Sequence, residues 1–265
     1  MLFPFHDHNP TQRLPIVTVG LIAVNVVVFL ATWRLTPDEQ MDLALEHGFI
    51  PARVEQWANG EPLEISVPAD PGDQELIARD RIVLLPAERG QIASTVFSCM
   101  FMHGGWMHLL GNMWFLWLFG NNVEDRLGHL LYLLFYVAGG LFATFCHWLP
   151  DPHSGVPVIG ASGAVSAILG AYAITWPHAR IKTFVMLFVF ITVIDLPALL
   201  VLGIWFATQI IEAIGAMQFP MGGGVAWWAH IGGFAAGVAA MLPLNKMFFS
   251  PTERQPAPSL WDQQD

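Results

Sequence analysis

The 265-residue sequence is 54% hydrophobic and only 12% charged, about half the charged fraction of ordinary soluble domains. This composition excludes a soluble globular class and predicts a polytopic membrane protein. The formal net charge is −10, and residues 34–95 hold twelve of the 21 acidic residues but five of the eleven basic ones. A nucleic-acid partner is therefore not expected, and the acidic stretch is typical of a solvated loop outside the membrane.

The beginning of the chain reads as a short segment, a first apolar helix and a long loop. Residues 1–15 contain one basic residue, Arg13, so the sequence indicates neither a signal peptide nor a transit peptide. Residues 16–33 are apolar and just long enough to span a bilayer. The proline-rich residues 34–95 follow, and we expect them to form a long, partly structured loop on the non-cytoplasmic side.

Five further apolar segments bring the predicted number of spans to six. They cover residues 104–120, 129–148, 158–176, 196–215 and 226–246. Residues 183–194 are also apolar but too short to cross a membrane, so we expect a re-entrant or interfacial stretch there. The prediction is an all-α membrane protein with a six-helix domain over residues 16–248 and a flexible tail over residues 249–265.

The distribution of basic residues predicts the orientation of these helices. The short loops that share a side with both termini carry Arg126, Arg180 and Lys182, whereas the opposite loops at 149–157 and 216–225 carry no basic residue. Because basic residues are enriched on the cytoplasmic side, both termini are predicted to be cytoplasmic. The form of the chain favours a bacterial cytoplasmic membrane.

Polar residues gather where the second, fourth and sixth apolar segments begin. These segments run in the same direction, so His103, His108 and Asn112, then Ser162, and finally His230 are expected at one non-cytoplasmic face. A serine hydroxyl becomes a useful nucleophile only with a base in reach and with donors for the oxyanion. His230 can act as the base of Ser162. His108 and Asn112 share a helical face and can donate to the oxyanion.

Small residues predict how the serine and the histidine meet. Ser162 lies in Gly-Ala-Ser-Gly, and the sixth segment carries Gly233 and Gly237 four residues apart. Such spacing lets two helix backbones approach closely in a membrane, which brings His230 towards Ser162. The alternative for the serine motif alone is a packing surface without chemistry.

Other polar residues have simpler interpretations. We expect Ser166 to donate a hydrogen bond to a carbonyl of its own helix. His103 and His108 are five residues apart and lie on different helical faces, and no zinc-protease motif is present, so neither a metal nor another cofactor is predicted. Gln209 and Glu212 are expected at the membrane interface, away from the chemistry.

Four motifs in order make the chain resemble the rhomboid intramembrane serine proteases over residues 86–243. The motifs are His-Gly-Gly-Trp-Met-His-Leu-Leu-Gly-Asn-Met at 103–113, Gly-Asn-Asn-Val-Glu-Asp-Arg-Leu-Gly at 120–128, Gly-Ala-Ser-Gly at 160–163 and Ala-His-Ile-Gly-Gly-Phe at 229–234. Many relatives carry a Trp-Arg pair in the first loop, and the nearest equivalent here is Glu88-Arg89-Gly90.

The resemblance implies specific roles. Ser162 is expected to be the nucleophile and His230 the base of a dyad without an acid, with His108 and Asn112 at the oxyanion. Helix five, with Trp205 and Phe206, is expected to flank the lateral entrance for transmembrane protein substrates arriving from the lipid bilayer. We also expect a hydrated cavity lined by the four site residues. The sequence leaves the substrate and the oligomeric state open.

Two other function classes compete with the protease. A non-catalytic rhomboid-like protein would bind membrane segments without cleaving them, and such relatives typically lack the serine or the histidine. A small transporter would spread polar groups across both halves of the bilayer, whereas this sequence gathers them at one face.

Overall fold

A computed structural model describes residues 2–67, 81–187, 190–218 and 225–248, and most of them are helical. The helices are α1 (Ile16–Thr32), α2 (Pro37–His47), α3 (Arg53–Asn59), α4 (Arg89–Ser98), α5 (Trp106–Leu127), α6 (His129–Trp148), α7 (Ser162–Thr175), α8 (Ala198–Gln218) and α9 (Trp227–Phe248). The strands are β1 (Leu2–Asp7), β2 (Leu63–Val67), β3 (Arg81–Leu85), β4 (Arg180–Leu187) and β5 (Phe190–Pro197). The tail predicted over residues 249–265 lies outside the described residues.

The apolar helices identify the chain as a helical membrane protein. By length and composition α6, α8 and α9 can each cross a membrane, and α1 and α7 are apolar but shorter. The 22-residue helix α5 ends at Leu127, and Gly128 after it has a φ of 76°, a left-handed conformation that suits glycine. The chain turns at that residue and α6 begins directly after it.

Helix α7 lies at the centre of the bundle. Eleven of its 14 residues are buried, and it packs against α5, α6, α8 and α9. The α9 glycines face its backbone: a Cβ on Gly233 would collide with the carbonyl oxygen of Gly163, and one on Gly237 with that of Ala167. The close approach predicted from the small residues is therefore present.

The described residues are mostly helical, as expected, but they also form two antiparallel sheets, so the expectation of an all-α protein is correct only in part. One has the strand order β1-β4-β5, and the other is the β2-β3 hairpin of the first loop. In β4 the side chains of Ile181, Thr183 and Val185 are buried and alternate with more exposed neighbours. This two-residue period is a strand signal, but the partner strand β1 lies at the opposite end of the sequence.

Within the apolar stretch 183–194, residues 183–187 belong to β4 and residues 190–194 belong to its antiparallel partner β5. The hairpin closes with Arg180 opposite Pro197, and the Ala198 N–H donates to the Ala179 carbonyl. The end of α7 and the start of α8 therefore lie at the same end of the bundle, on the two sides of the hairpin. The described residues of this stretch, 183–187 and 190–194, form no separate spanning helix, in agreement with the prediction, and their strand structure corrects the helical interpretation of the fold.

The first loop is structured in its described part, as expected. A small core of its own contains Leu45, Ile50 and Ile65, and the buried Arg53 donates to the Leu45 and Pro86 carbonyls. The Arg89 guanidinium lies over the Trp57 ring and donates to the Trp57 carbonyl. Arginine and tryptophan thus meet here from different elements, Trp57 from α3 and Arg89 from α4.

The end of α5 holds the beginning of α1. The buried Glu124 carboxylate accepts hydrogen bonds of 2.8 Å from the backbone N–H groups of Val17 and Thr18, and Asp125 accepts from the N–H of Arg13. A carboxylate at a helix N-terminus satisfies free N–H groups and complements the helix dipole. Glu124 therefore fixes how α1 packs on α5.

Candidate active site

Ser162 is the first residue of α7, and a loop fixes its position. Gly160 just before it has a φ of 127°, a backbone conformation that favours glycine. The Gly160 N–H donates to the Cys99 carbonyl over 2.8 Å, and Val158 pairs with Phe49 of the first loop. No side chain caps the start of α7, so its first N–H groups point towards the site without a side-chain acceptor.

His108 lies against the same loop. A Cβ built on Gly160 would be 2.6 Å from His108 Nε2 and 3.6 Å from Ser162 Oγ. The imidazole therefore occupies the space beside Gly160 that any other residue would fill, and it lies next to the serine. Asn112 follows one turn later on the same face of α5, and its buried side-chain nitrogen has no hydrogen-bond partner.

His230 reaches the serine end of α7 from α9. A Cβ on Gly163, the residue after Ser162, would be 3.8 Å from the Cβ of Ala229, the residue before His230. The imidazole is 8% exposed and is flanked by Trp205 and Trp227, whose ring centroids lie 6.0 and 5.9 Å from its own. The crossing of α7 and α9 thus brings the two predicted dyad residues to adjacent positions.

The two ring nitrogens of His230 differ. Nδ1 lies 2.7 Å from Gln209 Oε1, whereas Nε2 is buried and without a hydrogen-bond partner. No direct hydrogen bond joins Nε2 to Ser162 Oγ across the described part of the chain. In proteins without bound substrate, such contacts are often longer than in the reacting complex.

Gln209 is the site residue that the sequence interpretation places wrongly. The expected interfacial position is incorrect, because the side chain is 6% exposed and faces His230. In the structure Gln209 lies seven residues after the fully buried Leu202 and four before the buried Ala213, and this helical spacing is the one signal that the sequence offers. That spacing marks the protein-facing side of α8. Glu212 on the same helix is exposed.

A small cavity lies beside Ser162. Its volume of about 20 Å³ is enough for one water molecule, and Cys99, Thr144 and Ala229 are among the residues that line it. Of the four residues predicted to line a hydrated cavity, only Ser162 lines this one. At this position the structure therefore does not show the single cavity that all four residues are expected to share.

Nearby polar and aromatic residues have structural roles. Ser166 Oγ donates to the Ser162 carbonyl over 2.6 Å, which confirms the predicted bond within its own helix. Trp205 and Phe206 both pack on Phe234 of α9, with the Phe206 ring stacked at 4.5 Å. These contacts hold α8 against α9 close to His230, the candidate base.

Comparison with known proteins connects this geometry to a family. The chain is 33% identical to RHOMBOID-like protein 5 of Arabidopsis thaliana over 39% of its length and 32% of that relative's. It is 35% identical to Rhomboid protein 1, mitochondrial, of Saccharomyces cerevisiae, over 34% and 28% of the two chains. It is 41% identical to Rhomboid-like protein 11, chloroplastic, of Arabidopsis thaliana, over 28% and 25%.

The matched stretch thus spans about a third or less of these curated relatives. Two of their names refer to mitochondria and chloroplasts, so they lend no support to the expected bacterial membrane. The Rhomboid domain family model matches residues 90–246, which is more than half of the chain and contains every candidate site residue. The chain belongs to the rhomboid family of membrane proteins.

Proposed function

We propose that this protein is an intramembrane serine endopeptidase that cleaves transmembrane protein substrates with a Ser162–His230 dyad. One observation carries the proposal. The α7–α9 crossing puts a loop-positioned serine beside a buried histidine whose Nε2 has no hydrogen-bond partner. Buried polar atoms usually have a hydrogen-bond partner. An imidazole nitrogen that lacks one and lies next to a serine therefore fits a base that accepts the serine proton.

The proposed reaction uses the two residues in turn. Ser162 Oγ attacks the carbonyl carbon of the scissile peptide bond while His230 Nε2 takes the hydroxyl proton. The tetrahedral intermediate then collapses, and the imidazolium gives the same proton to the departing amine. A water molecule hydrolyses the acyl-enzyme with His230 again as base, and Ser162 recovers its hydrogen.

In this proposal, three kinds of donor stabilise the developing oxyanion. They are the free N–H groups at the start of α7, the side-chain nitrogen of Asn112 and the imidazole of His108. Preorganised donors of this kind stabilise the transition state more than the ground state, and removal of one typically lowers kcat by about 10²–10³-fold. The orphaned Asn112 nitrogen is supporting evidence, because an oxyanion would satisfy it.

The length of α7 supports a site below the membrane surface. Fourteen helical residues extend about 21 Å, whereas the hydrocarbon core is about 30 Å thick. We propose that α1, α5, α6, α7, α8 and α9 are the six spans, with both termini cytoplasmic. If the far end of α7 lies at the cytoplasmic surface, Ser162 is recessed from the opposite one. The peptide substrate must then unwind near that depth, which favours segments weakened by glycine or proline.

A non-catalytic rhomboid-like protein is the second candidate. The missing Ser162–His230 hydrogen bond favours it, because a binding protein needs no such contact. Retention of both residues, together with the donors around them, favours the protease.

Variants of the dyad test the proposal. We expect Ser162→Ala and His230→Ala each to lower cleavage of a reconstituted transmembrane substrate by at least about 10³-fold, because either change removes an essential part of the dyad. Cleavage is measured in proteoliposomes by the appearance of the product fragment. Ser166→Ala is the matched control, since Ser166 bonds to its own helix, and it should cleave at nearly the wild-type rate.

A fluorophosphonate probe separates the two candidate functions. The wild-type protein should be labelled at Ser162, and the Ser162→Ala and His230→Ala variants should not. A folded wild-type protein that neither cleaves nor reacts would overturn the protease proposal in favour of the non-catalytic candidate.

A further inference from the structure

The position of Gln209 fixes which nitrogen of His230 carries its proton. Gln209 Oε1 is 2.7 Å from His230 Nδ1, and both side chains are more than nine-tenths buried. An amide oxygen only accepts hydrogen bonds, so Nδ1 must be the donor. In the neutral imidazole the second nitrogen, Nε2, then carries the free lone pair.

The orientation of the Gln209 amide is itself determined by its neighbours. The Nε2 nitrogen of Gln209 lies 3.3 Å from the Trp205 carbonyl and 3.2 Å from Thr208 Oγ. A flipped amide would set its oxygen against the Trp205 carbonyl oxygen, and two acceptors repel. The hydrogen bond to the backbone of α8 therefore keeps the amide oxygen directed at His230.

No other described side chain does this for His230. Trp205 and Trp227 touch the ring through their faces and edges, and neither offers an acceptor to Nδ1. The nearest acidic residue of α8, Glu212, is exposed and makes no contact with the ring. Across the described residues, the titratable groups that act electrostatically on His230 are two other histidines, His108 and His147.

We propose that Gln209 is a positioning residue that holds His230 in the Nδ1–H tautomer, with Nε2 free to accept the proton of Ser162. This inference rests on the proposed protease function and completes its dyad with a neutral third member. During attack the Ser162 hydroxyl proton moves to Nε2, and the Nδ1–H bond to Gln209 Oε1 persists in the imidazolium. With its oxygen held towards Nδ1, this amide orients the ring as a carboxylate would, but it adds no charge to the buried site.

Two substitutions of similar size test this role. Gln209→Met fills the space but offers no comparable acceptor, so we expect kcat to fall by about 10- to 100-fold with little change in KM, as for loss of a transition-state orientation. Gln209→Glu keeps the acceptor, and we expect it to retain cleavage. The carboxylate stabilises the imidazolium, so the acid limb of its pH–rate profile should move to higher pH.

Selective ¹⁵N-histidine NMR gives a readout that does not depend on cleavage. The His230 signals, identified by their loss in His230→Ala, should show a protonated Nδ1 and an unprotonated Nε2 in the wild type. In Gln209→Met this assignment should be lost or mixed. A purely structural Gln209 would leave the NMR assignment unchanged in every folded variant.

The two levels of the proposal fail differently. If wild type cleaves, Ser162→Ala does not, and Gln209→Met matches wild type in kcat and in NMR, the positioning role is overturned and the protease stands. If wild type neither cleaves nor reacts with a fluorophosphonate, the protease proposal fails and the catalytic role of Gln209 fails with it.

Discussion

Gly160 shows how one residue without a side chain can determine a site. Its φ of 127° and the His108 ring beside it both exclude a Cβ, and Ser162 follows two residues later. The loop and the imidazole therefore determine each other's positions. This coupling joins α5 to α7 at the point where the proposed oxyanion forms.

We predict that Gly160→Ala lowers cleavage by at least about tenfold. The added Cβ would be 2.6 Å from His108 Nε2, so the ring or the loop must move, and displacements near 1 Å can cost about 10²-fold in rate. The measurement is kcat/KM on a transmembrane substrate, with fluorophosphonate labelling as a second readout.

Gly203→Ala is the matched control for that change. A Cβ on Gly203 meets nothing within 4 Å, so this variant should keep its activity and gain about 0.5–1 kcal/mol of helix stability. If Gly160→Ala behaves like the control, the His108 contact does not matter for catalysis.

The site residues differ in how well the sequence predicts them. Ser162, His230, His108 and Asn112 lie in contiguous motifs at helix ends, and the structure brings the His108 ring and the His230 end of α9 to the start of α7. Gln209 stands alone in an apolar helix, and its role depends on how α8 is rotated about its axis. Packing against α9 sets that rotation. The sequence of α8 alone can therefore indicate at most which side of the helix is buried.

At the scale of elements, some helix boundaries are set by the local sequence, whereas others are set by contacts with distant residues. The predicted segment 129–148 coincides with α6, because Gly128 ends one helix and begins the next. The predicted segment 158–176 begins four residues too early. Val158 is instead paired with Phe49, and Gly160 is left-handed, so contacts with the first loop delay the helix until Ser162.

The three-stranded sheet is a tertiary feature that links the N-terminal strand to two helices. Trp114 of α5 donates to the Pro4 carbonyl, and Tyr172 of α7 and Asn122 of α5 both donate to Asp7 Oδ2 over 2.7 Å. These bonds join segments more than 100 residues apart. No local pattern in residues 2–7 could indicate such partners.

Asp7 makes the attachment of β1 depend on pH. Burial raises the pKa of Asp7 from 3.8 to about 6, against the opposing effect of hydrogen bonds from Asn9, Tyr172 and Asn122. The stabilisation by the protonated acid is therefore complete below about pH 4 and is lost as the pH rises through about 6. Amide exchange of residues 2–7, corrected for intrinsic rates, should show protection that falls over this interval.

Asp7→Asn should remove that pH dependence, because the amide cannot ionise. His8 follows β1 directly and its Nε2 lies 3.2 Å from Asp195 Oδ1, so His8→Gln tests whether the effect belongs to Asp7. The His8→Gln variant should still lose protection as the pH rises, because Asp7 can still ionise. A flat profile in the wild type, or the same slope in Asp7→Asn, would contradict the assignment.

At the scale of the whole molecule, function depends on which face of the membrane each end of the bundle meets. The start of α7 carries the proposed chemistry, and its end leads into β4, which pairs with β1. The sheet and the candidate site therefore lie at opposite ends of the central helix. The proposed topology places the sheet on the cytoplasmic side and the serine end of α7 towards the other side.

Accessibility of single cysteines tests this topology. In a background with Cys99→Ala and Cys146→Ala, cysteines are introduced at the exposed residues Asp151, Thr11 and His178. Asp151 lies between α6 and α7, whereas Thr11 and His178 lie at the sheet end. A membrane-impermeant maleimide should label Asp151→Cys in intact cells, and Thr11→Cys and His178→Cys only after permeabilisation. Equal labelling of Asp151→Cys and His178→Cys would mean that α7 does not cross the membrane. The proposal that Ser162 lies below the membrane surface would then fail.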